Sequence, residues 1–328
     1  AAAFVPGNEK LKKIAYFSPL PPMKSGIAHY SAELLRELST FYHIDLIMIS
    51  GEETHDPFLH SVCGIKSIEW FKENAETYDR IVYHFGNSSF HWHMFDLLKN
   101  YPGVVVLHDY FLSGIVAHMD LHLHHTVNGW EKELFKSGGW PAVSMRYNAA
   151  DTADVVYKYP CNISVLQNSL GIITHSEYSR QLAINEYGAG ALPKWETIPL
   201  LRIPANNFNK ADSRKKLGID SDTLVVCSFG LMGPTKLNKE LIKAWIDSPL
   251  SKDNKCHLVF AGEKPGDLYG SIIDKLINKC KCNIRVTGWL SNEEYNHWLS
   301  AADIGVQLRS NSRGESSAAV LDCMNYGL

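Results

Sequence analysis

Short apolar runs alternate with segments of helical periodicity along most of the chain, and this alternation limits the possible folds more than any other feature. In the first two-thirds of the chain, the strand-like runs cover residues 12–18, 42–50, 80–85, 104–108, 171–175 and 196–201. Helical stretches such as residues 176–186 separate most of them. Because strands that alternate with helices form parallel sheets covered on both faces, the sequence predicts an α/β fold.

A break in the alternation divides the chain into two predicted domains. Residues 199–212 carry two prolines, three asparagines and no apolar period, which is typical of a linker. After them the strand-like runs resume at residues 224–229, 257–261, 283–289 and 304–308. We therefore predict a Rossmann-like domain over residues 10–200, a linker over 201–210 and a second Rossmann-like domain over 211–328. We expect the second domain to be incomplete, because the sequence stops where another strand should follow.

Amino-acid composition limits the functions that the chain can have. With 328 residues, 45% hydrophobic and 20% charged, the chain has an ordinary globular composition. A formal net charge of −3 provides no basic field for nucleic acid. No apolar run approaches the ~18 residues that a membrane span needs. The seven scattered cysteines predict reduced thiols in the cytoplasm, and we do not expect Cys280 and Cys282 to bind a metal.

Ligands of open parallel sheets bind beyond the carboxyl ends of the strands, which directs attention to four loops. These loops cover residues 19–26, 108–114, 230–236 and 309–314. Residues 230–236 (GLMGPTK) supply two glycines and a lysine, but they match neither the Walker nor the dinucleotide spacing. A turn with a solvated lysine explains this loop equally well.

The last of these loops leads into a predicted helix. Residues 315–317 (ESS) open a segment in which Val320, Leu321 and Met324 recur at helical spacing. Free N–H groups at a helix start can hold an anion such as a phosphate. An ordinary capped helix is the competing interpretation, since serine is a favoured cap.

The other candidate residues for substrate or metal binding are histidines. His108 ends a strand-like run, where it could orient a substrate or share a proton, and Asp109 could fix its tautomer or cap the next segment. The histidine-rich residues 91–93 and 118–125 lack the carboxylate spacing of a zinc site. Asp220–Ser221–Asp222 looks like a DxD metal motif, but an acidic turn is expected before a strand. We therefore predict no metal site.

Six motifs occur in order along nearly the whole chain: SPLPPMKSGIAHY, VVVLHDYFLSG, THSEYSRQL, SFGLMGPTKLN, VTGWLSNEEY and LRSNSRGESSAAVLDCMNYG. Together they resemble the GT-B glycosyltransferases, and within them retaining family 4. The sequence is similar to bacterial enzymes that build surface polysaccharide such as lipopolysaccharide, often mannosyltransferases. The resemblance implies two Rossmann-like domains whose parallel sheets face a central cleft.

The same resemblance implies a reaction. A hexose, with mannose favoured, would pass from a nucleotide sugar to a saccharide or lipid-linked acceptor, with retention and without a metal. GDP-mannose is the donor favoured over UDP-sugars, and no further cofactor is implied. We expect a cytoplasmic protein, possible peripheral association with the inner face of the cell membrane, and a place in a larger multidomain chain.

The residues that match the family's motifs are expected to have particular roles around the donor phosphates. Gly26 and Gly230 would let the backbone approach the donor. Lys236 would neutralise the diphosphate leaving group. The amides of Ser316 and Ser317 would hold the terminal phosphate.

Roles around the sugar and nucleoside follow in the same way. His108 would lie beside the transferred sugar, and Glu315 would be the leading acid of the family's E-x7-E motif. Asp322 would be the trailing acid at the ribose, and Leu290 would lie where the base is held.

Two departures from the family pattern bear on these roles. Glu315 and Asp322 are one residue closer than the usual spacing, and the family's arginine before the lysine is replaced by Leu231. Arg309 or Arg313 could replace its charge. A non-catalytic GT-B scaffold and a sugar-nucleotide epimerase remain the alternatives.

Overall fold

The computed structural model describes residues 11–205, 208–280 and 282–328, and the chain divides into two compact units. The first unit runs to Leu201 and includes Arg313–Ser316, and the second comprises Arg202–Ser312 and Ser317–Leu328. Residue 10, at the start of the first predicted domain, and residues 206–207 of the predicted linker lie outside the described residues. Arg313–Ser316 belongs to the second domain by the predicted boundaries, but its contacts assign it to the first unit.

Within the described residues, the first unit contains a seven-stranded parallel sheet. Its strands are β1 (Lys12–Phe17), β2 (Tyr42–Met48), β3 (Gly64–Ser67), β4 (Arg80–Phe85), β5 (Val104–Leu107), β6 (Gly171–Thr174) and β7 (Trp195–Thr197). They lie in the order β3-β2-β1-β4-β5-β6-β7, so the strand order reverses between β1 and β4.

Helices accompany these strands. They are α1 (Gly26–Leu38), α2 (Pro57–Val62), α3 (Ile68–Asn74), α4 (Met94–Asn100), α5 (Ser113–Leu121), α6 (Gly129–Asn148), α7 (Thr152–Lys158), α8 (Ile163–Asn168) and α9 (Glu177–Tyr187). Helix α1 follows the first candidate loop, and the side chain of Ser25 caps it by accepting a hydrogen bond from the Ile27 amide.

Strand β1 shows that the sheet of the first unit is buried on both faces. Successive strand residues point to opposite faces. Ala15 and Phe17 lie in one hydrophobic core, and Ile14 and Tyr16 lie in another. All four side chains are at most 5% exposed. Apolar residues on both faces explain why the strands form near-continuous apolar runs in the sequence.

The second unit contains four parallel strands in its described part. They are β8 (Leu224–Phe229), β9 (Cys256–Ala261), β10 (Ile284–Val286) and β11 (Ile304–Gly305), in the order β10-β9-β8-β11. Its helices are α10 (Lys210–Leu217), α11 (Asn238–Asp247), α12 (Leu268–Lys279), α13 (Asn292–Ala301) and α14 (Ala318–Asn325). Val225, Cys227 and Phe229 face one core of this unit and Val226 faces the other.

Several predicted elements differ from the observed ones. The runs predicted at residues 283–289 and 304–308 form only the short strands β10 and β11. Strand β3 was not predicted, because it has four residues and its Ile65 is 38% exposed. A short, half-exposed strand leaves a weak apolar signal.

The helix predicted after residues 315–317 is present, and small residues make its core contacts. Helix α14 begins at Ala318, capped by Ser317, and places Ala319 and Cys323 against the core of its unit. Val320 and Met324 are 38% and 67% exposed. Ala319 and Cys323 are also spaced by four residues, and their small side chains allow the helix to pack closely on the core.

Two further findings concern the cysteines and membrane spans. The sulfur atoms of Cys280 and Cys282, which follow α12, lie within bonding distance of each other, whereas the sequence predicted reduced thiols. The other cysteines are buried free thiols: Cys63, Cys161, Cys227, Cys256 and Cys323. None of the helices in the described part of the chain combines the length and apolar character needed to cross a bilayer.

Candidate functional site

In the second unit, the loops after β8 and β11 lie where the strand order reverses. The amide of Ser310 donates a hydrogen bond to the carbonyl of Thr235 at 2.9 Å. The Gln307 side chain also donates to the carbonyl of Phe229 at 3.3 Å. These bonds tie the two loops together at the edge where open parallel sheets bind ligands.

Glycines allow the first of these loops to run close to its neighbour. Gly230 has φ +93°, a conformation that other residues rarely adopt. A Cβ at Gly262 would lie 2.2 Å from the carbonyl oxygen of Gly230, so the backbones pack directly against each other. The Nζ of Lys236 lies 3.1 Å from the position that a Cβ on Gly230 would occupy. The lysine therefore folds back over its own loop.

Lys236 is a desolvated cation that lies near a second cation. Burial, with a smaller contribution from the positive charge of Arg309, lowers the pKa of Lys236 to about 8. Its Nζ makes no hydrogen bond or ion pair with any residue that the structure describes. Because two neighbouring cations repel each other, a bound anion would stabilise both. The residues thus form a candidate anion site.

The structure distinguishes the two arginines considered as replacements for the charge missing at Leu231. Leu231 is 48% exposed. Arg309 lies close enough to Lys236 to affect its pKa. Arg313 belongs to the first unit, where its guanidinium lies over the rings of Phe111 and Tyr157 at 5.5 and 4.9 Å. Arg309 is therefore the arginine that accompanies Lys236.

In the first unit, histidines from three neighbouring strand ends form a cluster. His84 lies on β4, His108 directly follows β5 and His175 directly follows β6. The Nδ1 of His84 is 2.9 Å from the Nε2 of His108, and the ring centres of His108 and His175 are 5.0 Å apart. Tyr30 of α1 packs edge-on against His108 at 5.0 Å.

Burial keeps His84 and His108 neutral. Desolvation lowers the pKa of His84 and of His108 well below the usual value, and neighbouring histidines add to the shift. Desolvation also lowers the pKa of His91 to about 3 and that of His93 to about 4. His84 and His108 can therefore exchange a hydrogen bond at neutral pH, but neither ring carries a charge there.

Glu315, predicted to lie near the sugar, is held by its own loop in the first unit. Its Oε2 accepts a hydrogen bond from the Arg313 amide at 2.9 Å, and its Oε1 lies 3.6 Å from the Arg313 guanidinium. Gly314 has φ +88°, and Ser179 donates a hydrogen bond to its carbonyl at 2.6 Å. A Cβ at Gly314 would lie 2.8 Å from Tyr110, so only glycine fits there.

Asp322 and Leu290 have structural partners in the second unit. Asp322 forms an ion pair with Arg202 at 2.7 Å and accepts a hydrogen bond from Tyr295 at 3.4 Å. Burial raises the pKa of Asp322 despite these partners. Leu290 is half-buried against the core of its unit.

The predicted phosphate-binding backbone is divided between the two units. Ser316 belongs to the first unit by its contacts and Ser317 to the second. Gly26 is the exposed first residue of α1, and a Cβ there would meet no atom within 4 Å. Among the residues predicted to bind the donor, Gly230, Lys236 and Arg309 lie close to one another.

Among the described residues, no three histidine, cysteine or acidic side chains are arranged so that they could hold a metal ion. Asp222, of the DxD-like turn, is exposed and paired with Lys255. The rings of His118 and His122 stack on each other at 5.0 Å.

Sequence reasoning missed His84 and His175 as members of the histidine cluster. The available signal was their position: both lie at or just beyond the carboxyl end of a predicted strand, as His108 does. Parallel neighbouring strands bring such residues to one edge. The strand order β4-β5-β6, which makes them adjacent, was not available from the sequence.

Solved structures resemble this chain over nearly its whole length. HepE from Anabaena in complex with UDP-glucose is similar with a TM-score of 0.62 and 14% identity, covering 96% of this chain and 79% of that one. Sucrose-phosphate synthase from Thermosynechococcus elongatus gives 0.64 and 14%, with the same coverage. WaaG, a glycosyltransferase involved in lipopolysaccharide biosynthesis, gives 0.58 and 12%, again with 96% and 79% covered.

No family model matches the sequence, and no curated protein matches it significantly. Identities of 12–14% establish a shared fold and leave the activity open. The α/β architecture with parallel sheets agrees with these structures. The fold predicted from the sequence is thereby confirmed: the chain has the GT-B fold of glycosyltransferases.

Proposed function

We propose that this protein is a glycosyltransferase that uses a nucleotide sugar as donor. The observation that carries the proposal is the pair Lys236 and Arg309 at the strand-order reversal of the second unit. Burial desolvates the amine of Lys236, and no residue that the structure describes supplies a counter-ion, an arrangement that costs stability unless an anion binds. A nucleoside diphosphate supplies two adjacent negative groups for the two cations.

We propose the following reaction. The bond between the anomeric carbon of the sugar and the diphosphate oxygen breaks, and its electron pair remains on the diphosphate. Lys236 and Arg309 stabilise that growing charge, as a metal ion does in other transferases. The acceptor hydroxyl forms the new bond on the same face of the sugar, and its proton passes to the leaving phosphate oxygen. Retention without a metal is part of this proposal.

For the donor, we propose a UDP-hexose as the first candidate. HepE is similar to this chain and was solved with UDP and with UDP-glucose. The family 4 resemblance instead favours GDP-mannose, so both donors enter the test. From the same resemblance we propose a saccharide or lipid-linked saccharide acceptor and a role in surface polysaccharide synthesis at the inner face of the cell membrane.

The test is a binding panel followed by a transfer assay. UDP, UDP-glucose, GDP and GDP-mannose are each added to the protein, and the change in unfolding temperature is measured. We expect one nucleotide pair to raise it, since binding to the folded state stabilises that state. Release of nucleoside diphosphate is then measured with EDTA present, and we expect it to continue. Binding by none of the four would contradict the proposal.

A non-catalytic scaffold predicts a different pattern. It would bind a nucleotide without releasing diphosphate from any sugar nucleotide, with or without added saccharides. An epimerase would convert the donor sugar without consuming an acceptor. Product analysis of the reaction mixture therefore separates the three functions.

Glu315→Ala tests the predicted sugar contact. We expect nucleoside diphosphate affinity to remain within about twofold and turnover to fall roughly tenfold or more, because a carboxylate near the sugar matters most as positive charge develops there. Calorimetry and initial rates measure the two effects. Glu177→Ala, which removes an exposed acid that pairs with Arg180, serves as the matched control. An equal loss of nucleotide affinity and turnover in Glu315→Ala would show that Glu315 belongs to the phosphate site.

A further inference from the structure

His84 is the most constrained member of the histidine cluster. Its side chain is fully buried, at 0% exposure. Its Nδ1 lies 2.9 Å from the Nε2 of His108, and its own Nε2 is buried without a hydrogen-bond partner among the described residues. Its carbonyl accepts a hydrogen bond from the Nδ1 of His91 at 2.8 Å. One ring nitrogen of His84 is therefore engaged, and the ring packs against Tyr16 at 4.6 Å.

The contact between His84 and His108 must join one N–H to one lone pair. Burial lowers the pKa of both rings, so each is neutral near pH 7. A neutral imidazole has one protonated nitrogen and one acceptor nitrogen. Two arrangements are possible: His84 donates from Nδ1, or His108 donates from Nε2.

The unpartnered nitrogen of His84 distinguishes these arrangements. If His108 donated, the proton of His84 would be on Nε2, which would leave a buried N–H without an acceptor. If His84 donates, its Nε2 carries only a lone pair. Buried donors without a partner are rarer than buried acceptors without one. The arrangement in which His84 donates is therefore favoured, and it places the proton of His108 on Nδ1.

The Nδ1 of His108 is open to a ligand. It makes no hydrogen bond to any described residue, and His108 is only half-buried. His108 directly follows β5 at the carboxyl edge of the sheet, where ligands of parallel sheets bind. The ring is packed against Tyr30 at 5.0 Å and His175 at 5.0 Å, which limits its rotation.

We propose that His84 is a positioning residue that holds His108 in its Nδ1–H tautomer, so that His108 offers a hydrogen-bond donor to a hydroxyl of the sugar. The assignment of the sugar as the ligand rests on the proposed function. The assignment of the tautomer rests only on the contacts of His84.

Nitrogen-15 NMR of the imidazoles tests the tautomer directly in the unmodified protein. We expect His108 to show a protonated Nδ1 and an acceptor Nε2 near pH 7. In His84→Leu, which removes the donor, we expect the Nε2–H form of His108 to increase. In His84→Asn, whose amide nitrogen lies near the former Nδ1, we expect the original tautomer to be retained. His93→Leu, which removes another buried histidine, is the matched control and should leave the His108 signals unchanged.

Two NMR results would overturn the inference: a protonated Nε2 on His108 in the unmodified protein, or the same Nδ1–H tautomer after His84→Leu. The first measurement needs no variant, so it decides the matter even if a substituted protein does not fold. Neither result depends on whether the protein transfers a sugar.

Kinetics test the role in transfer. We expect His84→Leu to lower turnover roughly two- to tenfold, the range for one neutral hydrogen bond, with unchanged affinity for nucleoside diphosphate. His84→Asn should restore most of the turnover. Unchanged turnover in His84→Leu would overturn the positioning role. An unmodified protein that transfers no sugar would instead contradict the proposed function, while the NMR result would still stand.

Discussion

The free energy of unfolding of the first unit should fall steeply as the pH is lowered from about 6.5 to 4. Four histidines contribute: His84, His91, His93 and His108. Each has a pKa below its unfolded value of about 6.5, because burial disfavours the charged ring. Between the two pKa values the unfolded chain binds more protons, so stability falls with pH by about 1.4 kcal/mol per pH unit per histidine.

The same pKa shifts define the pH range over which the free energy of unfolding falls. Above about pH 6.5 neither state is protonated, and the full stability is present. For His93 the loss continues to about pH 4 and for His91 to about pH 3, where the folded rings also titrate. Since a domain is stable by only about 5–15 kcal/mol, we expect the loss to be measurable by pH 5.

Urea unfolding at pH 7, 6 and 5 measures this dependence. His93→Gln should flatten the slope by about 1.4 kcal/mol per pH unit, because it removes one of the four rings. His43→Gln, at an exposed position in β2, is the matched control and should leave the slope unchanged. If His93→Gln and His43→Gln changed the dependence of the unfolding free energy on pH equally, the dependence would not come from the buried histidines.

Lys236→Ala should weaken the binding of nucleoside diphosphate and of sugar nucleotide alike, by roughly ten- to a hundredfold. A charge-assisted contact to a phosphate is worth roughly 1.5–3 kcal/mol, which corresponds to that loss of affinity. Because the pKa of Lys236 is about 8, we also expect nucleotide affinity in the unmodified protein to decrease above about pH 8. Calorimetry across this pH range measures both effects, and the variant should lose the pH dependence.

The stability of Lys236→Ala separates a binding defect from misfolding. The substitution removes a desolvated cation that lies beside Arg309, so we expect the ligand-free variant to be at least as stable as the original. Lys243→Ala, an exposed position on α11, is the matched control for loss of a lysine. Undiminished nucleotide affinity in Lys236→Ala would remove the main support for the proposed function.

The sequence by itself determined the fold class and most strands. Apolar runs such as 104–107 and 224–229 are visible because strands buried on both faces require uninterrupted apolar residues. The sequence also predicted that Lys236 and His108 lie just beyond strands, since a strand followed by a loop puts polar residues at the ligand-binding edge of a sheet. It could not identify the exposed faces of α14, where small residues pack inward and Met324 points outward.

Tertiary structure decided which of these residues become neighbours. His84, His108 and His175 are up to 91 positions apart, and only the order β4-β5-β6 brings them together. In the same way, the pairing of β11 with β8 brings Arg309 to Lys236 and leaves Arg313 and Glu315 with the first unit. Strand order depends on the packing of the whole sheet, which local periodicity does not encode. The pKa values of the buried histidines and of Lys236 follow from that packing, because desolvation is set by distant parts of the chain.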